Sequence, residues 1–166
     1  MRCSACGDEH DLLDPAFGRP DVIFAMTGEE KRGRVLERND MCALRGDDVP
    51  DRYFFRCVLP VRLLDRPGTV GWGIWAEVNE VDAKVIYDLW DAPNQAASPA
   101  MSARLANNVP AYPETIGLPV DLRLTGPTSR PSLSFSGASL HPFAVECRAG
   151  VSVHRVAEWL ARMSVR

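Results

Sequence analysis

The stretch Tyr53-Phe54-Phe55-Arg56-Cys57-Val58-Leu59-Pro60 decides the fold, together with Trp72-Gly73-Ile74-Trp75-Ala76-Glu77-Val78 a turn later. Aromatic and β-branched residues dominate both runs, a composition suited to strands that pack on a pleated face. Pro60 cannot donate to a ladder and closes the first run. With a period of two, Tyr53, Phe55, Cys57 and Leu59 share one face, and Arg56 falls on the other between Phe54 and Val58. Leu64-Asp65-Arg66-Pro67-Gly68 between the runs is a turn. The two runs are predicted to pair as an antiparallel hairpin.

On the N-terminal side, Thr27-Gly28-Glu29-Glu30 fits a capping box, and a polar surface helix is predicted from there to about Arg38. On the C-terminal side, Asn79 is a helix cap, with Asp82 adding negative charge to the first turn. Val81, Val85 and Leu89 recur at i, i+4 and i+8 and predict the buried stripe of that helix. Residues 93–142 are proline-rich but punctuated by apolar residues. They read as loops plus two or three short strands, with clean alternation at Val120-Asp121-Leu122-Arg123-Leu124 and Leu133-Ser134-Phe135. A strand is predicted near Phe143–Cys147, then a final helix with Val153, Val156, Leu160 and Met163 inward. The expectation is one α+β domain over residues 1–166: an antiparallel sheet with helices packed on it, preceded by a cysteine-knuckle segment in residues 1–20.

The chain has 166 residues, 46% of them hydrophobic and 25% charged, which are ordinary globular values. Its formal net charge of -3 argues against nucleic acid as a partner. No apolar run approaches the roughly 18 to 20 residues of a membrane span, and the N-terminus lacks a secretory apolar stretch. A cytoplasmic, reduced setting is expected, and five cysteines fit poorly with a fully paired disulfide framework.

The sharpest chemical motif is Cys3-Ser4-Ala5-Cys6-Gly7. A Cys-x-x-Cys-Gly turn suits zinc because its backbone N–H groups point at both thiolates. His10 supplies a third ligand. For the fourth, Cys42, Cys57, Cys147, His141 and His154 are candidates. Cys42 is favoured because Asn39-Asp40-Met41-Cys42 is polar and reads as a loop, whereas Cys57 and Cys147 fall in apolar strands. A redox dithiol would need the motif at a helix N-terminus after a strand, and nothing here provides that setting.

Arg56, Trp72, Trp75, Tyr112 and His141 are candidates for a pocket that stacks on a planar or sugar ligand. The competing reading is core packing for the aromatics and a bond from His141 to a backbone carbonyl at a strand entry. There is no G-x-S-x-G, no G-x-G-x-x-G and no P-loop.

The chain resembles the bacterial family catalogued as domain of unknown function 2199. The matching pieces are Cys3-x-x-Cys6-Gly7-x-x-x-His10, Asp40-x-Cys42, Tyr53-Phe54-Phe55-Arg56, Trp72-Gly73-x-Trp75, Pro110-x-Tyr112-Pro113-x-Thr115, Arg130-Pro131 and His141-Pro142-x-Ala144-Val145-Glu146. The resemblance implies that the knuckle and Cys42 belong to one pattern, which supports Cys42 as a zinc ligand. It implies no activity.

Three readings of function follow. The first is an accessory, regulatory or immunity-type binding protein, with a protein partner or small ligand and a structural zinc on Cys3, Cys6, His10 and Cys42. The second is a metal-assisted or pocket-based enzyme of small molecules. The third is an interaction protein without metal.

Overall fold

The computed structural model describes residues 13–163. In chain order the helices and strands are α1 (Asp21–Phe24), α2 (Gly28–Lys31), β1 (Val35–Glu37), β2 (Met41–Leu44), β3 (Arg52–Arg62), β4 (Thr69–Val78), α3 (Glu80–Leu89), β5 (Met101–Leu105), β6 (Pro119–Arg123), β7 (Ser132–Ser134), α4 (Pro142–Ala149) and α5 (Val153–Met163).

The predicted hairpin is the centre of the molecule. β3 and β4 pair antiparallel over ten residue pairs, from Tyr53 opposite Val78 to Arg62 opposite Thr69. The flat antiparallel sheet expected around it is instead a barrel. β4, β5, β6 and β7 follow one another antiparallel, and β7 returns to pair parallel with β3 at Val58 and Ser132. Five strands that alternate in direction leave the first and last pointing the same way, so the ring can close only on a parallel pair. Closure removes the free edges that an open sheet would expose. β1 and β2 extend the sheet outside the ring. The cysteine-knuckle segment, with Cys3, Cys6 and His10, lies outside the described residues.

Alternation along each strand fills the barrel. Phe55, Cys57, Leu59 and Val61 face inward from β3, Trp72, Ile74 and Ala76 from β4, Met101, Ala103 and Leu105 from β5, Val120 and Leu122 from β6, and Leu133 from β7; all are buried. Phe143 of α4 and Trp159 of α5 pack on Trp72, with ring centroids 5.8 and 5.1 Å away, and so cap one end.

Four local expectations are corrected. The capping box at Thr27 and Glu30 forms, but its helix stops at Lys31, because Gly33 takes a positive φ of 77° and turns the chain into β1. Residues 142–149 are helix, not strand: His141 caps it, Pro142 occupies its first turn, and Phe143, Ala144 and Cys147 make the inward face. The run was too short for periodicity to separate helix from strand. Asn79 caps α3 as expected, yet its buried residues are Ala83 and Ile86, while Val81 is 74% exposed. In α5, Val153 and Val156 are buried and Leu160 and Met163 pack partly buried against the core as expected, but the expected stripe omits Trp159, the third buried residue.

β3 has eleven residues, roughly 36 Å of chain, more than one short neighbour can cover. Each edge of the hairpin is therefore handed from one segment to another. On the β4 edge, β5 reaches only to Ala76. Beyond it, Phe17 donates to the Gly73 carbonyl and Gly73 to the Pro15 carbonyl, each at 2.8 Å. A Cβ on Gly73 would sit 2.8 Å from that of Ala16, so only glycine lets this segment lie so close. The gap is sealed by Asn107, fully buried. Its Oδ1 accepts from Trp75 N at 2.8 Å, and its Nδ2 donates to the Arg19 carbonyl at 2.8 Å and to Asp21 Oδ1 at 2.9 Å.

Replacing Asn107 by Ala strands Trp75 N–H and the Arg19 carbonyl in a buried place. The expected loss of unfolding free energy is about 2–4 kcal/mol, measured by urea denaturation. A loss below about 0.5 kcal/mol would show that the seam does not depend on this side chain.

Candidate functional site

The other edge of the hairpin is handed over at Arg56. β2 pairs with β3 as far as Phe55, and Arg56 N then donates to the Asp40 carbonyl at 2.9 Å. Two residues on, Val58 N donates to the Pro131 carbonyl at 2.9 Å and β7 takes over. The two neighbours diverge, and no buried amide closes this fork. It is bridged by one ion pair, Arg130 Nε to Asp40 Oδ1 at 2.8 Å. A cleft of about 390 Å³ opens there, lined by Asp40, Val58, Trp90, Thr128, Ser129 and Arg130, with Pro127.

Arg56 projects from the outer face of β3, the same face as Val58 on the cleft wall. Its Nε is buried and has no hydrogen-bond partner among the described residues. Its guanidinium pKa is lowered first by burial and then by the positive charges of Arg130 and Arg19, against which Asp40 pulls the other way. Arg19 in turn is paired with Glu37 at 3.0 Å. Among the described residues, the two carboxylates of this cluster, Glu37 and Asp40, each have their own arginine, and the charge of Arg56 is left over.

Cys42 sits one strand away, opposite Glu37 in β1. It was read as a loop residue, but it lies in β2 and is buried, because β2 is held between β1 and β3. Burial, and then the Glu37 charge, push its thiol up to about 11. The stability gained by keeping this thiol neutral is full below the unfolded thiol range near 8.5 and is lost as pH rises through about 11. Burial likewise raises the thiols of Cys57 and Cys147. Among the described residues, no three His, Cys, Asp or Glu side chains gather as a metal site requires.

The five residues proposed as a pocket are not brought together. Trp72 is inside the barrel, and Trp75 is buried on its outer face with Nε1 donating to the Phe17 carbonyl at 3.2 Å. His141 enters a helix rather than a strand, and accepts instead of donating: its Nδ1 takes the Phe143 N–H at 3.2 Å. Tyr112 belongs to a cluster that sequence reasoning missed. Its hydroxyl donates to Glu146 and accepts from Trp159 Nε1 at 2.8 Å, while Arg155 Nε bonds Glu146 Oε1 at 2.6 Å. Burial and the bond to Glu146 raise the phenol well above its usual range. Ala111, just before it, holds a positive φ of 78°, a conformation that costs a non-glycine residue on the order of 1 kcal/mol and that the cluster offsets. The cluster ties the 107–115 loop to α4 and α5. Tyr112 and Glu146, each in a piece of the family resemblance, were the available signals, but nothing in the spacing joined them to each other or to Arg155.

A larger cleft of about 470 Å³ lies on β4–β6, lined in part by Glu77 and Arg104. There Arg52 holds Glu77 through two bonds of 2.7 and 2.6 Å, and Arg104 bonds the Gly117 carbonyl. The fork differs in that three guanidiniums, those of Arg19, Arg56 and Arg130, meet two carboxylates there among the described residues.

The family described as "Uncharacterized protein conserved in bacteria (DUF2199)" matches residues 2–151. The chain belongs to this family. Three of the family-like pieces, Asp40-x-Cys42, the stretch ending in Arg56, and Arg130-Pro131, meet at the fork of this DUF2199 chain. No curated protein and no solved structure matches it. Among the described residues, no helix is long and apolar enough to cross a membrane.

Two substitutions test the structural reading of these side chains. Tyr112→Phe leaves Trp159 Nε1 without its acceptor and is expected to cost about 1–3 kcal/mol in urea unfolding, with no change in secondary structure. His141→Ala removes a helix cap and should cost about 1 kcal/mol, whereas His141→Asn, a good capping residue, recovers most of it.

Proposed function

We propose that this chain is a non-catalytic binding module whose N-terminal segment is fixed by a structural zinc on Cys3, Cys6, His10 and Cys42. The supporting observation is the ion pair between Arg19 and Glu37 at 3.0 Å. It ties the N-terminal segment, nine residues past His10, to the cross-strand partner of Cys42. Nine residues of chain span at most about 30 Å, which is compatible with a ligand set that joins His10 to Cys42. A zinc ion bound there supplies the positive charge that a buried thiolate needs, in place of the proton that Cys42 otherwise keeps.

Binding is favoured over turnover because the groups best suited to acid–base or nucleophilic work are engaged in holding the fold. Cys57 and Cys147 are buried thiols with raised pKa values, Tyr112 is bonded on several sides, and His141 caps a helix. What remains at the fork is a cleft with arginines, hydroxyls and the Asp40 carboxylate, which is itself engaged by Arg130.

Elemental analysis of the full chain, purified without added metal, tests the zinc. About one zinc per chain is expected, and less than about 0.2 overturns the assignment, since structural sites bind tightly. Cys42→Ser and Cys6→Ser should each lose the metal. A Cys42→Ser variant that retains full zinc would remove Cys42 from the ligand set.

A further inference from the structure

We propose that the fork between β2 and β7 is a binding site for an oxyanion, a phosphate or carboxylate group, with Arg130 on the cleft wall and Arg56 at its margin as counter-charges. The inference names the ligand class of the binding reading above and is independent of the zinc.

Geometry comes first. The cleft exists because two segments share one edge of β3 and part company between Arg56 and Val58. It is open, about 390 Å³, a volume that admits a small ligand. The Trp90 ring forms part of its wall, and Thr128 and Ser129 bring hydroxyls. Trp90 follows the last residue of α3, so its position is set by a packed helix.

Charge comes second. Three guanidiniums, those of Arg19, Arg56 and Arg130, influence one another here, against the carboxylates of Glu37 and Asp40. Glu37 is matched to Arg19, and Asp40 to Arg130. One positive charge remains, on a half-buried side chain whose Nε has no partner among the described residues. Like charges crowded around a half-buried cation destabilise the fold, and natural chains retain such strain where a ligand relieves it. A planar guanidinium fork suits a phosphate or carboxylate, whose oxygens accept two parallel N–H bonds.

Arg130 makes the site adjustable. Its Nε is engaged by Asp40, and the rest of its guanidinium is available to a ligand. An incoming oxyanion would therefore meet a guanidinium already oriented by Asp40, together with the unmatched one of Arg56.

The test is the melting temperature of the full chain in chloride, inorganic phosphate or citrate at matched ionic strength. A rise of about 3 °C or more over chloride, at about 10 mM phosphate or citrate, is expected. Phosphate acting alone assigns a phosphoryl ligand, citrate alone a carboxylate ligand, and both together a general oxyanion site. Arg56→Gln and Arg130→Gln should each abolish the rise, while Arg66→Gln, in the turn at the far end of the β3–β4 hairpin, should keep it. Arg56→Gln should also melt no lower than the parent in chloride, because it removes an uncompensated charge; a purely structural arginine would lower it. The proposal falls if neither anion exceeds chloride, or if the rise survives in both Arg56→Gln and Arg130→Gln. Zinc content is read separately on the same samples, so a chain that holds zinc but ignores both anions loses this site and keeps the structural metal.

Discussion

The length of one strand governs the rest of the molecule. β3 runs for eleven residues and β4 for ten, and they pair almost end to end. The remaining strands have three to five residues. A backbone N–H or C=O left unpaired in a buried place costs about as much as a lost hydrogen bond, so every stretch of hairpin edge has to find a neighbour. No single short strand can supply it. The barrel, the N-terminal segment laid along Gly73, and the β1–β2 extension are all answers to that requirement.

The two edges are completed in different ways. On β4 the change of neighbour is filled by Asn107, a buried amide that bonds β4 and the N-terminal segment at Arg19 and Asp21, with Thr115 locking its loop from behind: Thr115 Oγ1 donates to the Asn107 carbonyl and accepts from Val109 N, both at 2.8 Å. On β3 the change of neighbour is spanned by Arg130 and Asp40, whose side chains are 42% and 27% exposed. A neutral, fully satisfied amide makes a dry seam that rigidifies its surroundings. A part-exposed ion pair contributes little to stability and leaves room for water or a ligand. The same topological problem thus has one sealed solution and one open one.

Much of this was legible in the sequence, and the failures have physical causes. The hairpin is readable because aromatic and β-branched residues dominate two seven-residue runs with a turn signal between them. The caps at Thr27 and Asn79 were readable because their chemistry is local. Closure was not, because it rests on a single pair, Val58 and Ser132, between segments more than seventy residues apart, and a three-residue strand carries no period of its own. Phe143–Cys147 misled because a short apolar run fits both periods, and only the His141-Pro142 entry breaks the tie toward helix. At the site, Arg56 stood out as a charge in the middle of an apolar strand. Arg130 was marked only as part of the Arg130-Pro131 family piece, and Arg19 not at all, since each is an ordinary arginine in a loop and acquires its partner only where the chain folds back.

That contrast bears on why Arg56 stands where it does. Its cross-strand partner is Trp75, and its same-face neighbours are Phe54 and Val58, an environment that would accept leucine or valine and gain apolar burial from it. A cation at this position is partly desolvated and repelled by Arg130 and Arg19, with Asp40 attracting it, so apolar packing alone gives no reason for it. Cys57, the next residue, shows the alternative: it faces the barrel, is fully buried, and its neutral thiol packs as a small apolar group. Consecutive residues of one strand have thus been assigned opposite tasks by the pleat. Inward positions hold the barrel together, and the outward position at the fork carries a charge that no ion pair among the described residues matches.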